Sequence, residues 1–506
     1  MMDLRFELPA GLTVDKLMAS LGKFANVQLV LQEYCLRTYY DSFDWRLYQH
    51  SILCEFNRSQ TASGLMLKNL QNDRVFAALE DSEAPSRTSR LKAGRVRTTL
   101  ESYLEQRALL PVCTLEYDAY HLLLRNEDQR LILRLLFEDY ELLNGQLSFQ
   151  PVKGFMKTAE HIAKTLSEEL GMTALDRPVL ELALGLEGRK PNDYSSKLNI
   201  ALDPAMRADL AGKLIFSTLL KTLKVNEQGV IADLDSEFLH DFRIAVRRSR
   251  TGLSQLKGVL PTDVTAYFAD FFSWLGQVTS PTRDLDVYLT KIETYQHNLP
   301  VRLHVDFEPF LAFLHAKKLK SQQDMADKLR SAKYRKTLAE WEQCLKSQAY
   351  PQVTKMGNLN IKLLADRRIW RLYRRILEEG GAITAHSPAG DLHGLRKTCK
   401  KLRYLLEFFQ NLYPKAQIKK LIKQLKALQD VLGDFQDFDV QIDFIDQCCN
   451  DNKNELPPAT LKALDELIRQ LAAQKAQARK HYQPAFDEFT LAKNHTLFKA
   501  LFPTHR

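Results

Sequence analysis

Two stretches of this chain set basic side chains along one edge of a helix. His240, Arg243, Arg247 and Arg250 stand at i, i+3, i+7 and i+10, and His393, Arg396, Lys400 and Arg403 repeat that spacing. At ~3.6 residues per turn these positions form a single stripe. Lys257 continues the first stripe by two turns. Solvated helices usually mix signs, because Glu–Lys pairs at i,i+4 help them; neither stripe carries a carboxylate among its cations. Like charges at this spacing repel, so the chemistry is capture of a counter-anion. Arginine offers forked donors, lysine a point charge, and histidine a donor that titrates. Arg371 and Arg374 (with Arg367) and Lys419, Lys423 and Lys426 form further stripes, for which a solvated face is an equally good reading.

The two stripes belong to an internal repeat. Leu239-His240 recurs as Leu392-His393, Pro261 as Pro414, Leu275 as Leu428, and Asp284-Leu285-Asp286-Val287 as Asp437-Phe438-Asp439-Val440, all at one offset of 153 residues. A gapless offset of this kind predicts two copies of one helical unit related by pseudo-twofold symmetry. Asp284 and Asp437 are read as helix caps. Asp286 and Asp439 are read as partners of stripe arginines, and no metal site is predicted.

These stripes need helices that bury their other face. Phe242, Val246, Leu253, Leu256 and Leu260 supply it in the first copy, and Leu395, Leu402, Leu405 and Phe409 in the second. From about Pro204 onward the period is helical, with breaks expected at Gly229, Pro261, Pro281, Pro300, Pro351, Gly380-Gly381, Pro388, Pro414, Gly433 and Pro457-Pro458. Before that point the chain reads as mixed α and β. Helices are expected over 14–24, 98–109 and 157–170, and strands over 51–58, 64–70, 112–125, 129–137 and 146–152. The expected organisation is an α+β domain at 1–185, a linker at 186–203 and an all-α domain at 204–506, with copies at about 204–350 and 355–506.

Composition agrees with this division. The 506 residues are 45% hydrophobic and 26% charged, as in an ordinary globular protein. Lys and Arg number 24 against 27 Asp and Glu up to residue 200, and 47 against 35 after it, so the first part carries −3 and the second +12 of the net +9. That asymmetry points to a polyanionic partner. No stretch approaches the ~20 apolar residues of a membrane span, and the first residues lack a signal peptide's apolar core, so no membrane insertion and a cytoplasmic location are expected. The seven cysteines are scattered without a Cys-x-x-Cys pair and are expected as free thiols.

The segments Leu-His-Asp-Phe-Arg-Ile-Ala-Val-Arg-Arg-Ser-Arg at 239–250, Arg-Asp-Leu-Asp-Val at 283–287 and Leu-His-Gly-Leu-Arg-Lys-Thr-Cys-Lys-Lys-Leu-Arg-Tyr-Leu-Leu-Glu at 392–407 resemble the CHAD domain, the conserved-histidine α-helical domain. The resemblance implies two pseudo-symmetric helical bundles around a basic channel that binds inorganic polyphosphate, without catalysis and without a cofactor. It implies that His240, Arg243, Arg247, Arg250, His393, Arg396, Lys400 and Arg403 face that channel. Gln436 stands where the first copy has Arg283.

The N-terminal part resembles a CYTH domain, the triphosphate-tunnel barrel, in Tyr39-Tyr40-Asp41, in the strand ending Leu67-Lys68, and in Leu-Ser-Phe-Gln-Pro-Val-Lys-Gly-Phe at 147–155. It departs from that family where metal and phosphate would be held. Asp3-Leu4-Arg5-Phe6-Glu7 replaces Glu-x-Glu-x-Lys, and Leu53-Cys54-Glu55-Phe56 replaces Leu-Arg-x-Arg. The implied fold is a degenerate antiparallel β barrel. Arg95 with Arg97, Arg130 with Arg134, and Glu116 with Asp118 would share faces if their segments are strands. Glu116 and Asp118 are the carboxylates left for a single divalent metal. Two alternatives to polyphosphate binding stand beside it: an inorganic triphosphatase using such a metal in the N-terminal domain, and a nucleic-acid-binding protein. The second is less favoured, since no aromatics interleave the stripes for base stacking. Oligomeric state is left open.

Overall fold

A computed structural model describes residues 4–85, 88–347, 353–453 and 455–503. Asp3, the break expected at Pro351 and the copy boundary near 350 lie outside them. The chain divides into two compact units, Met1–Ser195 and Ser196–Arg506. Among the described residues, no helix is long and apolar enough to cross a membrane, and all seven cysteines are free.

The first unit is built on nine strands: β1 (Arg5–Glu7), β2 (Asn26–Asp41), β3 (Ile52–Arg58), β4 (Ser63–Asn69), β5 (Val75–Glu80), β6 (Leu110–Arg125), β7 (Leu131–Tyr140), β8 (Gln146–Pro151) and β9 (Thr173–Ala174). Their order is β5-β4-β3-β2-β6-β7-β8-β1-β9, antiparallel throughout. Among the described residues no ladder joins the end strands β5 and β9. Five helices accompany the sheet: α1 (Val14–Leu21), α2 (Arg46–Gln49), α3 (Arg95–Leu104), α4 (Met156–Leu170) and α5 (Val179–Leu186). Leu17, Leu21, Ile162 and Leu166 of α1 and α4 pack on Leu122, Leu135 and Phe137. Leu100 and Leu104 of α3 pack on Leu65 and Leu67.

Two expectations change here. Arg95 and Arg97 lie on a helix rather than a strand, where Arg97 pairs with Glu101 one turn on; Val96, Leu100 and Leu104 set the helical period. The long strand β2 is new. Its first half keeps Leu29, Val30 and Leu31 exposed in a row, so it shows none of the alternation that marks a half-buried strand.

A chain of ions lines a cavity in this unit. Arg5 pairs with Asp73 at 3.3 Å, Asp73 with Lys68 at 3.5 Å, Lys68 with Glu55 at 2.7 Å, Glu55 with Arg37 at 3.6 Å and Arg37 with Glu138 at 2.5 Å. Signs alternate along it. Arg37 also donates to Asn57 and to the hydroxyls of Tyr117 and Tyr140, each at 2.9 Å. Burial pushes the Glu55 carboxyl up, but Lys68 and Arg37 outweigh it and hold the carboxyl below its ordinary value.

The second unit holds α6 (Ala208–Ile231), α7 (Ser236–Gln255), α8 (Thr262–Thr290), α9 (Ile292–Asn298), α10 (His304–Arg330), α11 (Ala332–Lys346), α12 (Ile361–Gly381), α13 (Ala389–Phe409), α14 (Lys415–Asp451), α15 (Pro458–Lys480), α16 (Tyr482–Thr490) and α17 (Ala492–Leu501). The starts of α12, α13 and α14 each fall 153 residues after those of α6, α7 and α8. The repeat therefore reaches back to the first helix of the unit. Two reciprocal bonds obey the same symmetry: Ala208 N donates to Leu359 O at 2.8 Å, and Ile361 N donates to Met206 O at 2.9 Å. Each bond is the image of the other under the repeat.

Three expected breaks are not breaks. Gly229, Pro281 and Gly433 lie inside α6, α8 and α14. Gly229 is a close-approach position: a Cβ there would stand 2.3 Å from the Phe238 ring. Pro281 removes one helix hydrogen bond, yet buried Leu275, Val278, Thr282 and Leu285 hold α8 on either side of it.

Replacing Glu138 by Ala would leave Arg37 charged and buried beside only Glu55. Breaking a buried pair in this way costs about 3–5 kcal/mol. Urea unfolding of Glu138→Ala should show the first unit weakened by that amount, with the helical unit's transition unchanged.

Candidate functional site

The stripe helices α7 and α13 occupy equivalent places in the two copies. Asp235 caps α7, accepting from the backbone N–H of Glu237 and Phe238 at 2.9 and 3.1 Å. The helices pack closely at Gly252, where a Cβ would meet Phe408 of α13 at 3.7 Å. Arg248 of α7 bonds Glu407 of α13 at 2.7 Å. This ion pair ties one copy to the other.

Between the copies lies a cavity of about 350 Å³. It is lined by His240, Arg243 and Arg247 of α7, Arg283 and Asp284 of α8, Lys291 at the end of α8, Arg396 and Lys400 of α13, and Gln436 and Asp437 of α14. Six lysines and arginines thus face two carboxylates. Arg243 is anchored on its own copy, donating to Gly276 O at 3.3 Å, Thr279 Oγ1 at 2.9 Å and Ser280 Oγ at 3.0 Å. Its counterpart Arg396 donates to Gln436 at 2.8 Å and lies 3.6 Å from Asp437. Gly433 gives Arg396 room, since a Cβ there would stand 3.3 Å from its Nη2.

Arg247 and Lys400 are equivalent under the repeat and differ from these anchors. Among the described residues neither side chain has a hydrogen bond or an ion pair within the protein, and the Arg247 Nε is buried without a partner. Burial pushes the Lys400 ammonium down to about 8, and Arg396 and Arg247 add to that push. Burial, then Arg247, pushes Arg243 down to about 10. Arg396 is also lowered, by burial against the opposing pull of Asp437, with Arg247 adding to the drop. Arg247 contributes to all three.

The remaining stripe residues go elsewhere. Arg250 is exposed beside Gly276. Arg403 is held by Glu407 at 2.8 Å. His393 faces Asp439 at 3.1 Å and does not line the cavity. Arg283 donates to His240 Nδ1 at 3.0 Å; an arginine only donates, so that nitrogen is an acceptor. Lys257 does not extend the stripe: α7 ends at Gln255, and the chain turns through Gly258 at φ +85°. Arg371, Lys419, Lys423 and Lys426 are exposed outside the cavity, and exposed Arg374 pairs with Glu378 at 3.4 Å.

The Asp-x-Asp motifs also differ from expectation. Asp284 and Asp437 sit within α8 and α14 rather than at their starts, because those helices run through the motifs. Asp286 pairs with Lys318 at 2.6 Å, and Asp439 with Lys475 and His393, so lysines from α10 and α15 take the place expected for stripe arginines. Lys291 is a lining cation that the repeat did not single out.

In the first unit, the carboxylates expected as a metal site are not in the lumen. Glu116 is exposed and accepts from the Tyr34 hydroxyl, and neither Glu116 nor Asp118 lines the cavity of about 610 Å³ there. Arg37, Glu55, Lys68 and Glu138 do. Among the described residues no group of three or more His, Cys, Asp or Glu is placed to hold a metal.

The family model of the CHAD domain matches residues 214–446. The helical unit carries a CHAD domain. Solved structures similar to this chain include the CHAD domain from the plant Ricinus communis, at 22% identity and TM-score 0.47 over 61% of this chain and 96% of that one. PptA from Streptomyces chartreusis is similar at 14% identity and TM-score 0.44 over 56% and 99%. HpAC1 from Hippeastrum, whose reported dominant activity is that of a triphosphatase, is similar at 12% identity and TM-score 0.28 over 38% and 99%. No curated protein matches the chain.

The Lys400 environment has a consequence for pH. Its ammonium is less basic in the folded, ligand-free protein than the ordinary lysine value of ~10.4. The unfolded chain therefore holds that proton more tightly, and folding becomes more favourable as pH rises from about 8 towards ~10.4. Urea midpoints across that range should climb more in the wild-type protein than in Lys400→Met. Equal slopes would contradict the assignment.

Proposed function

We propose that the helical unit binds inorganic polyphosphate and that the cavity between α7 and α13 seats its phosphates. The observation that carries this reading is the pair Arg247 and Lys400. Two equivalent cations line one cavity, are partly desolvated and crowded by Arg243 and Arg396, and their side chains meet no partner among the described residues. Such an arrangement is stabilised when an anion enters. The anchored guanidiniums of Arg243 and Arg396 supply donors whose positions are already set. A phosphate chain offers charge and acceptor oxygens and no base edges, which suits a wall of this kind.

The competing nucleic-acid reading needs aromatic faces for stacking. Tyr288 is the one aromatic among the lining residues, and its ring is already stacked on Phe444 at 4.0 Å between centroids. A triphosphatase in the first unit would require free cations in its lumen. There the buried Arg37 and Lys68 are already neutralised by Glu138 and Glu55, which leaves the exposed Arg58 as a lining cation without a carboxylate partner among the described residues.

Charge reversal at both positions, Arg247→Glu with Lys400→Glu, should abolish binding of polyphosphate while far-ultraviolet circular dichroism keeps its helical signal. In the wild type the logarithm of affinity should fall linearly with the logarithm of salt, by analogy with nucleic-acid binding. Unchanged affinity in the double variant would exclude the cavity. Tighter binding of single-stranded RNA than of polyphosphate of equal charge would favour the competitor.

A further inference from the structure

Lys400 stands apart from the arginines that crowd it in the cavity because an amine, unlike a guanidinium, can lose its proton and become a nucleophile. On its own helix Arg396 and Arg403 flank it, α7 brings Arg247, and α14 brings Asp437. No carboxylate pairs with it among the described residues. Crowding by cations and loss of water both favour the neutral amine, the two devices by which proteins activate lysines. The same arginines that raise the neutral fraction form a phosphate-binding wall beside it, on the reading given above.

We propose that Lys400 is a site of self-acylation by acyl phosphates, the cavity arginines holding the donor's phosphate while the lysine attacks its carbonyl. The neutral Nζ adds to the carbonyl carbon and a C–N bond forms. The bond between that carbon and the phosphate oxygen breaks, inorganic phosphate leaves, and the proton from nitrogen passes to solvent. No electrons are exchanged. The product amide has no charge, so the cavity loses one of its six cations and its hold on a polyanion weakens.

With an ammonium that titrates at about 8, the neutral fraction of Lys400 at pH 7.5 exceeds that of an exposed lysine by roughly two powers of ten. Weaker bases are also weaker nucleophiles, and by analogy with thiols this returns about half the gain on a logarithmic scale, leaving about tenfold.

The test treats the full chain with acetyl phosphate at pH 7.5 and follows each lysine by peptide mass spectrometry. Lys400 should acetylate about tenfold faster than exposed Lys419, and added tripolyphosphate should protect Lys400 but not Lys419. The advantage should shrink with p-nitrophenyl acetate, which has no phosphate to hold; an equal advantage for both reagents would overturn capture of the donor. Lys400 labelled no faster than Lys419 by acetyl phosphate would overturn the proposal outright. Polyphosphate binding measured on the same preparation separates the two readings. Binding without labelling of Lys400 rejects self-acylation alone, whereas rapid labelling without binding rejects the polyphosphate reading and leaves the reactive lysine standing.

Discussion

The helical unit is organised around a repulsion. Arg247 and Lys400 come from equivalent turns of two copies of one helix and line one cavity in which six lysines and arginines outnumber two carboxylates. The fold must oppose that repulsion, and the contacts that do so are on either side of it. Arg248, next to Arg247, pairs with Glu407 of the other copy at 2.7 Å. The reciprocal backbone bonds between 206–208 and 359–361 fasten the copies at the starts of α6 and α12. Buried Phe216, Phe242, Phe408 and Phe409 fill the apolar side. A site kept short of its counter-charge costs stability, and natural proteins accept such costs where a ligand is to be bound.

The first unit handles similar side chains in the opposite way. Its cavity holds Arg5, Arg37 and Lys68 among its lining cations, and each of these three meets Asp73, Glu55 or Glu138 in an alternating series. Burial alone would raise those carboxyls and lower those bases. Mutual pairing reverses the first effect at Glu55 and Glu138. One unit thus pairs its buried cations internally, whereas in the other the half-buried Arg247, Lys291 and Lys400 line a cavity with no ion pair among the described residues.

Periodicity and repetition carried much of this architecture at the level of sequence. The offset between Pro261 and Pro414 is the offset between the helices they precede. Glycine and proline were poorer guides. Gly229 and Gly433 exist to let Phe238 and an arginine approach a continuous helix, which a chain reading cannot distinguish from a break. The stripe itself was legible, but its membership was not. Arg403 and Arg247 look alike along their helices, yet Glu407 one turn on claims the first. His393 is claimed by Asp439 of α14, and His240 by Arg283 of α8. Which cation remains free depends on neighbours brought by folding, and no spacing rule contains them.

The central claim, that an anion completes a crowded cation cavity, is tested most directly at Lys400. Nuclear magnetic resonance of protein labelled with carbon-13 at the lysine ε position can follow its titration with and without tripolyphosphate. The account predicts a value of about 8 in the free protein, moved upward when tripolyphosphate is present, since an anion favours the charged amine. An ordinary value near ~10.4 in the free protein, or a depressed value that tripolyphosphate leaves unmoved, would contradict it.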